Sequence, residues 1–542
     1  MDNQRLFIVI AILLSVFLLW DKWTFRNAPS SNVNNVEQSS AVLINENIET
    51  ASDVPNIETE AVSLDIDKNE SYESHPYTNI KTDLLTVEVS HKGGAIQNAY
   101  LNTYPLELGS QEKFQLLSNK KGSVFQAQSG LASKEESLPS HLSMFSSDRS
   151  NYEMTNNELV VPFTWKSENG VEVTKTYRFK RGSYIIELDY EIINNSNNPI
   201  GTKSYVRLER DFLEQSNMMM PTFTGGIVYD KASDSVQKNK FEDWSDFDTE
   251  IDERSIGGWM AMVQQYFVAA WVPKQDEEQK YSATVVNNLY KLTDVGPQIT
   301  INPGTSVTMS PQKLYIGPKE YGNVEKVATG LNYTLDYGWL DILADPLSWI
   351  IHKVNYYVNS WGWSIIIITF MIKLAFYPLS EKSYKSMAGM RKLAPRLEKI
   401  KKTYGDDKQK MGQKTMELYK KEKINPASGC LPIIVQIPVF IAFYWMLLDT
   451  VELRQMSFFY LPDLSAKDPY YILPILMGAS MLFQQKLNPP PADPMQAKIM
   501  MALPFVFTIF FLWFPSGLVL YWVVNNTLSI AQQWTINKRI NG

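Results

Sequence analysis

The chain has 542 residues, room for three or four folding units at about 150 residues each. Its one cysteine, Cys430, excludes an internal disulfide, and its histidines, at 75, 91, 141 and 352, are too few and scattered for a Cys/His metal cluster. Charge is segregated by sign: residues 27–345 hold 26 Lys and Arg against 45 Asp and Glu, net −19, whereas 380–426 hold 14 against 6, net +8. Together with long uncharged blocks, that asymmetry excludes a single soluble globule and points to a membrane protein with an acidic domain on one side and a basic segment on the other.

The first apolar block, Leu6 to Trp20, reads as an uncleaved anchor within 1–26. A signal peptide is the alternative, but no small-residue cleavage site follows, and Trp20, Trp23 and Phe25 stand where one would be. Residues 27–80, rich in Ser, Asn, Asp and Glu, read as a solvated tether. From 81 to 335 the pattern becomes that of strands. Leu85–Val89, Val171–Tyr177 and Tyr184–Tyr190 alternate apolar and polar residues, with further strands from Ser282 to Tyr315. Asn194–Pro199 and Gly296-Pro297 read as turns, so the expected fold here is a large antiparallel β-sandwich. No catalytic carboxylate pair stands out among its acids, which read as a solvated surface.

Residues 336–354 carry Trp339, Leu340, Ile342, Leu343, Leu347, Trp349, Ile350 and Ile351. They predict an interfacial amphipathic helix, the alternative being a helix packed under the sandwich. A second span is expected at 355–379. In the basic stretch 380–426, Met387, Met390, Leu393, Leu397 and Ile400 recur at helical spacing. Gly405-Asp406-Asp407 then breaks the helix and offers an N-cap for a second one. The reading is a helical hairpin whose Met387, Met390, Arg391, Lys392, Arg396 and Lys399 form a docking surface with exposed methionines. The plainer alternative is a basic loop that only sets topology and touches anionic lipid.

The remainder, 427–542, predicts four more spans, at about 427–448, 469–487, 497–514 and 517–536, with Pro515-Ser516-Gly517 turning the chain between the last two. Six spans with a short basic loop at 380–426 place that loop and both termini in the cytoplasm, and residues 27–345 outside it. The expected class is therefore an α-helical multi-pass membrane protein of six spans with a large extracytoplasmic β-sandwich and a cytoplasmic helical hairpin.

Several polar residues fall inside these spans. Lys373 closes an uncharged run yet is followed by Leu374–Leu379, and a charge within a span costs about 2.5–3.5 kcal/mol on insertion scales. It faces either a wet groove or, by snorkelling, the headgroups. Thr369 shares its face. Tyr521, Asn525, Ser529 and Gln532 or Gln533 make a polar stripe on the last span, Gln436 lies between Pro432 and Pro438, and Ser480 and Gln484 share a face of the fourth span. No acidic residue is seen within the spans to pair with Lys373, so the cation suits a visiting carboxylate. A P-loop motif is absent from the sequence. An intramembrane protease at Ser480 would lack a base, and a secondary transporter would show repeats.

Asn425-Pro426-Ala427-Ser428-Gly429-Cys430-Leu431-Pro432, Val451–Gln455, Asp468–Gly478 and Phe511–Tyr521 closely resemble the membrane core of the YidC-type insertases, over roughly 330–537. The anchor and outer sandwich resemble the long form found in Gram-negative bacteria. The resemblance implies a bacterial inner-membrane insertase and chaperone, not an enzyme and needing no cofactor. It would insert nascent membrane proteins alone or with the Sec translocon, touching membrane lipids and, weakly with so short a tail, the ribosome; no specific nucleic-acid site is implied. The family's groove arginine matches Lys373 here, Thr369 matches a groove position, and a groove tyrosine falls on Trp522 with Tyr521 beside it. Lysine keeps the charge but loses the bidentate fork. The remaining alternative is an assembly chaperone without insertion activity of its own.

Overall fold

The computed structural model describes residues 75–134, 138–213, 222–246, 255–404, 407–422, 431–488 and 494–541. The expected anchor (1–26), nearly all of the tether, and residues 405–406, 423–430 and 489–493 lie outside them.

Two sheets, of ten and nine strands, pack face to face between Tyr77 and Pro318. In the first, Ile200–Asp211 runs antiparallel between Ser123–Ser133 and Leu289–Ile301. Only at its edge does Tyr77–Lys81 pair in parallel, with Asn151–Glu153. In the second, Gln312–Pro318 lies between Phe267–Val272 and Ile185–Asn194. The alternation seen in the sequence is real burial: in Leu85–Ser90 and Val171–Lys180 the apolar side chains point into the core shared by the sheets. Asn194 closes its expected turn, its amide donating to Asn198 O and Ile301 O.

Gly296-Pro297 is a correction. The pair does not turn the chain but lies within Leu289–Ile301, where the register against Ile200–Asp211 slips between Lys203 and Tyr205. A bulge tolerates a proline that lacks an N–H, and a Cβ at Gly296 would press on Ser204 Oγ at 3.2 Å.

The helical region follows through short 3-10 turns. We label its helices α1 (Asp341–Val358), α2 (Trp361–Ala375), α3 (Tyr377–Lys392), α4 (Ala394–Tyr404), α5 (Lys408–Lys421), α6 (Leu431–Asp449), α7 (Ile472–Leu487), α8 (Pro494–Phe510) and α9 (Ser516–Asn541). The segment around α1 is buried along one face and exposed along the other. Ala344, Leu347 and Ile351 are buried against α2 and α6, while Trp339 and Ile342 stand 71% and 82% exposed. One apolar cluster continues from the outward face of the nine-stranded sheet, through Val324, Leu331 and Leu340, to Ile365, Phe443 and Tyr521.

That continuity is locked by polar contacts. Lys319 Nζ meets Asp449 Oδ1 at 2.6 Å with both side chains buried, and also donates to Thr334 O. Glu452 accepts from Tyr321 N at 3.0 Å and faces His352 Nε2 at 3.2 Å, and Arg454 donates to Pro105 O and Leu106 O. Acids at the edges of two expected spans are buried, and both have partners other than Lys373. Asp449 and Asp468 are both buried, Asp449 against Lys319 and Asp468 accepting from Tyr460 Oη and Leu473 N.

Among the described residues no single helix is long and apolar enough to cross a membrane. α2 and α3 pass together on length and composition, but they bend by 65° at Phe376; shorter apolar helices cover Ile434–Asp449 and Lys498–Trp513. Between α8 and α9 the chain turns through Phe511–Trp513, and Ser516 N and Gly517 N are pinned to Ala466 O and Leu464 O.

The periodicity at 387–400 is interrupted as well. Instead of one helix, α3 and α4 meet at the buried Leu393, because Pro395 has no N–H to donate to the Arg391 carbonyl and its ring crowds that carbonyl, so α3 cannot run on through it. Asp407 caps α5 by accepting from Lys410 N at 3.0 Å, and the Arg396–Glu422 pair at 2.6 Å links the two basic helices.

Candidate functional site

Lys373 lies in the last turn of α2 and is only 6% exposed. The apolar run before it makes a helix whose Ile365, Ile368 and Ile372 are buried, and one turn of that face delivers Thr369 and Lys373 to the interior. α9 supplies the opposite wall, since its stripe at i, i+4 and i+8 aligns Tyr521, Asn525 and Ser529 inward.

Lys373 Nζ donates to Ser529 Oγ at 2.7 Å and to Gln436 Oε1 of α6 at 3.3 Å. Gln436 Nε2 in turn donates to Asn525 Oδ1, closing a polar ring across α2, α6 and α9. Gln532 Nε2 reaches the Lys373 carbonyl at 3.3 Å. None of the partners of the ammonium is charged, and among the described residues no carboxylate pairs with it. An ammonium has three N–H donors, so one is left beyond Gln436 and Ser529. Beside it lies a cavity of about 10 Å³ lined by Ile372, Phe376, Leu379, Ser380 and Gln436. That is room for about one water-sized group.

Not every candidate joins the ring. The Thr369 hydroxyl donates to Ile365 O at 2.6 Å, within its own helix, so it shares the face of Lys373 without bonding to it. Tyr521 and Trp522 lie in an aromatic group a turn beyond Asn525. Tyr521 packs on Phe443 at 4.7 Å, and Trp522 stacks on Phe440 at 4.6 Å. Ser480, the protease candidate, donates to Met477 O and accepts from Asn526 Nδ2, a helix-to-helix contact.

The basic surface is more closed than its periodicity implies. Met387 and Met390 are half-buried, because that face of α3 turns toward α9 and the end of α7, while Arg391, Lys392, Arg396 and Lys399 are exposed. Sequence reasoning missed Lys319–Asp449 and His352–Glu452. Their partners are 130 and 100 residues apart, and the only signal was a charge at the edge of an apolar block.

Two family matches divide the chain: residues 78–350 match the family described as the YidC periplasmic domain, and 353–542 match the 60Kd inner membrane protein family. The chain is 58% identical to the membrane protein insertase YidC of Ruthia magnifica subsp. Calyptogena magnifica, with 100% of both chains covered. It is 43% identical to that of Methylobacillus flagellatus, over 99% of this chain and 97% of the relative. A solved structure of an active YidC insertase with its first transmembrane domain resolved is 16% identical, with a TM-score of 0.41 over 85% of this chain and 92% of that one. That likeness is too loose to add to the sequence matches.

Proposed function

Because the chain belongs to the YidC family of membrane protein insertases, we propose that the ring around Lys373 is where it receives the hydrophilic end of a nascent membrane protein. The observation that carries this reading is a buried ammonium held only by the neutral Ser529 and Gln436, with one donor left toward a small cavity. A buried cation without a counter-ion is costly unless something polar or anionic visits it. An acidic residue of the client supplies that charge, and the apolar part of the client leaves sideways into lipid. Bonds are neither made nor broken: the work is binding and release, and relatives are named insertases rather than for any reaction.

In this reading the helical region, completed by the anchor at 1–26, crosses the inner membrane six times with both termini in the cytoplasm. The β-sandwich is periplasmic. The basic helices α4 and α5 form the cytoplasmic hairpin that meets the nascent chain and, weakly, the ribosome, while larger clients are handed over together with the Sec translocon. The net +8 of residues 380–426 supports the orientation.

The smallness of the cavity beside Lys373 favours a second reading, an assembly chaperone that folds helices already inserted. One experiment separates them: protease-protected insertion of a small acidic-tailed membrane protein into liposomes holding only this chain, as wild type and as Lys373→Ala. Insertion by the wild type and its loss in the variant support the charged ring. Full insertion by the variant makes Lys373 a structural link between α2, α6 and α9, and no insertion by the wild type leaves the chaperone.

A further inference from the structure

A second polar cavity, of about 240 Å³, opens where the last turn of α3, the end of α7 and the late part of α9 meet. Met387, Arg391, Lys392, Leu487, Gln533 and Asn537 line it. It takes no part in the Lys373 ring, and its volume is several times the roughly 30 Å³ of a water.

Its chemistry is uneven in a telling way. Arg391 is held at the mouth by donating from Nη2 to Lys486 O at 2.8 Å, a carbonyl at the end of α7. Gln533 is 2% exposed; its Nε2 donates to Leu487 O at 3.2 Å and to Asn488 Oδ1 at 3.0 Å, which fixes the orientation of the amide. Gln533 Oε1 is then left buried with no hydrogen-bond partner among the described residues. The wall therefore offers two cations and, buried just behind it in Gln533, one acceptor that lacks a donor; no carboxylate lines it among the described residues. An occupant that satisfies it carries an anion and, a few ångströms away, a neutral donor. A buried amide oxygen left bare is otherwise costly.

The position narrows the source. The cavity lies where the apolar α7 gives way to Lys486, and where α9 ends in Lys538 and Arg539, the level at which basic side chains meet lipid headgroups. Met387 and Leu487 present an apolar side to the root of an acyl chain. An ethanolamine headgroup would bring its ammonium into the field of Arg391 and Lys392, whereas a glycerol headgroup brings a hydroxyl.

We infer that this cavity is a binding site for an anionic phospholipid with a hydroxylated headgroup, of the phosphatidylglycerol type. Its phosphate sits between Arg391 and Lys392, and a headgroup hydroxyl donates to Gln533 Oε1. The inference rests on the reading of the helical region as membrane-embedded, and not on the role of Lys373.

The test is lipid retention by the full chain in detergent, read by native mass spectrometry during titration with phosphatidylglycerol, phosphatidylethanolamine or inorganic phosphate. The wild type retains phosphatidylglycerol in preference to phosphatidylethanolamine, and inorganic phosphate does not displace it. Gln533→Leu weakens phosphatidylglycerol retention about tenfold, the loss of roughly one hydrogen bond to a buried group, without changing that of phosphatidylethanolamine. Lys392→Ala, an exposed change that leaves the helix contacts intact, weakens it as well. Equal retention by wild type and both variants overturns the site. Equal retention of the two lipids overturns the hydroxyl, and displacement by phosphate alone overturns the lipid as the source. Lys373→Ala keeps its lipid even where insertion is lost, so failure here and failure of the insertion reading are told apart.

Discussion

Lys373 Nζ lies 2.7 Å from Ser529 Oγ, and the same hydroxyl donates its proton to Asn525 O one turn back along α9. Ser529 therefore meets Lys373 as an acceptor only. The direction of that bond matters: the ammonium is positioned by α9 but not neutralised by it, and Gln436 adds a dipole from α6 without adding a charge.

This geometry makes charge, rather than shape, the property to alter. Lys373→Arg keeps the charge, and its wider fork reaches the same two acceptors, so insertion of an acidic-tailed client is retained. Lys373→Glu places a carboxylate where the client's acid would arrive and lowers insertion of that client by about tenfold or more, since like charges at close range in a protein interior repel by several kcal/mol. A client whose translocated tail carries no acid is affected much less. Protease protection in liposomes measures all three, and equal yields from both clients with Lys373→Glu would refute an electrostatic role.

The Lys319–Asp449 pair holds the β-sandwich to the C-terminal end of α6. Asp449→Ala strands a buried ammonium and destabilises the folded chain by about 3–5 kcal/mol, whereas Lys319→Met with Asp449→Leu recovers most of that, because a buried pair is replaceable by apolar volume. The check is the thermal midpoint of the full chain in detergent, together with protease sensitivity of residues 319–340. A double variant no more stable than Asp449→Ala would show that the pair also fixes geometry.

What was legible in the sequence was local. The i, i+4 stripe of Tyr521, Asn525 and Ser529 and the cap at Asp407 are written in spacings of a single helix, and the alternation of Val171–Lys180 in those of a single strand. What was not legible depended on a distant partner. The Lys319–Asp449 pair joins segments that the charge count treats as surface, and Met387 reads as exposed because periodicity defines a face without saying what covers it. Gly296-Pro297 has the composition of a turn, yet the neighbouring strand supplies a bulge that accommodates it. Thr369 illustrates the limit at the site itself: spacing puts it on the face of Lys373, but its hydroxyl is taken by Ile365 O.

Two buried titratable groups give the sandwich opposite pH slopes. Burial raises the Asp294 carboxyl well above its ordinary value, with Gln279, its amide turned so that Nε2 faces the acid, donating at 3.1 and 3.3 Å. The folded state then holds a proton that the unfolded chain releases near pH 3.9, so stability falls as pH rises from there toward the folded value, by at most about 1.4 kcal/mol per pH unit. Lys175 is pushed the other way, well below its ordinary value, by burial among Phe145, Tyr177 and Tyr190. Its contribution therefore rises with pH between the folded value and about 10.4. Asp294→Asn keeps the shape and removes the first slope, gaining stability over the wild type as pH increases from 5 to 8. Hydrogen exchange of Glu278–Val286 and Leu289–Ile301, corrected for intrinsic rates, reads it; a difference between variant and wild type that does not change with pH would refute it.

Gly478 tests how tightly the helical region is built. A Cβ there would overlap Thr508 Oγ1 on α8, and that hydroxyl is engaged with Pro504 O at 2.7 Å, so it cannot swing aside without giving up its bond. Gly478→Ala therefore overpacks the α7–α8 contact and costs about 1–3 kcal/mol despite the better helix propensity of alanine. Adding Thr508→Ala removes the obstructing hydroxyl and restores most of the loss, a coupling that a double-mutant cycle in detergent measures directly. Because α7 also packs against α9, which carries Ser529, the single variant should loosen the Lys373 ring and reduce insertion in step with stability. A stable Gly478→Ala, or one that Thr508→Ala fails to rescue, would mean that α7 and α8 do not approach each other closely enough for a methyl group to matter.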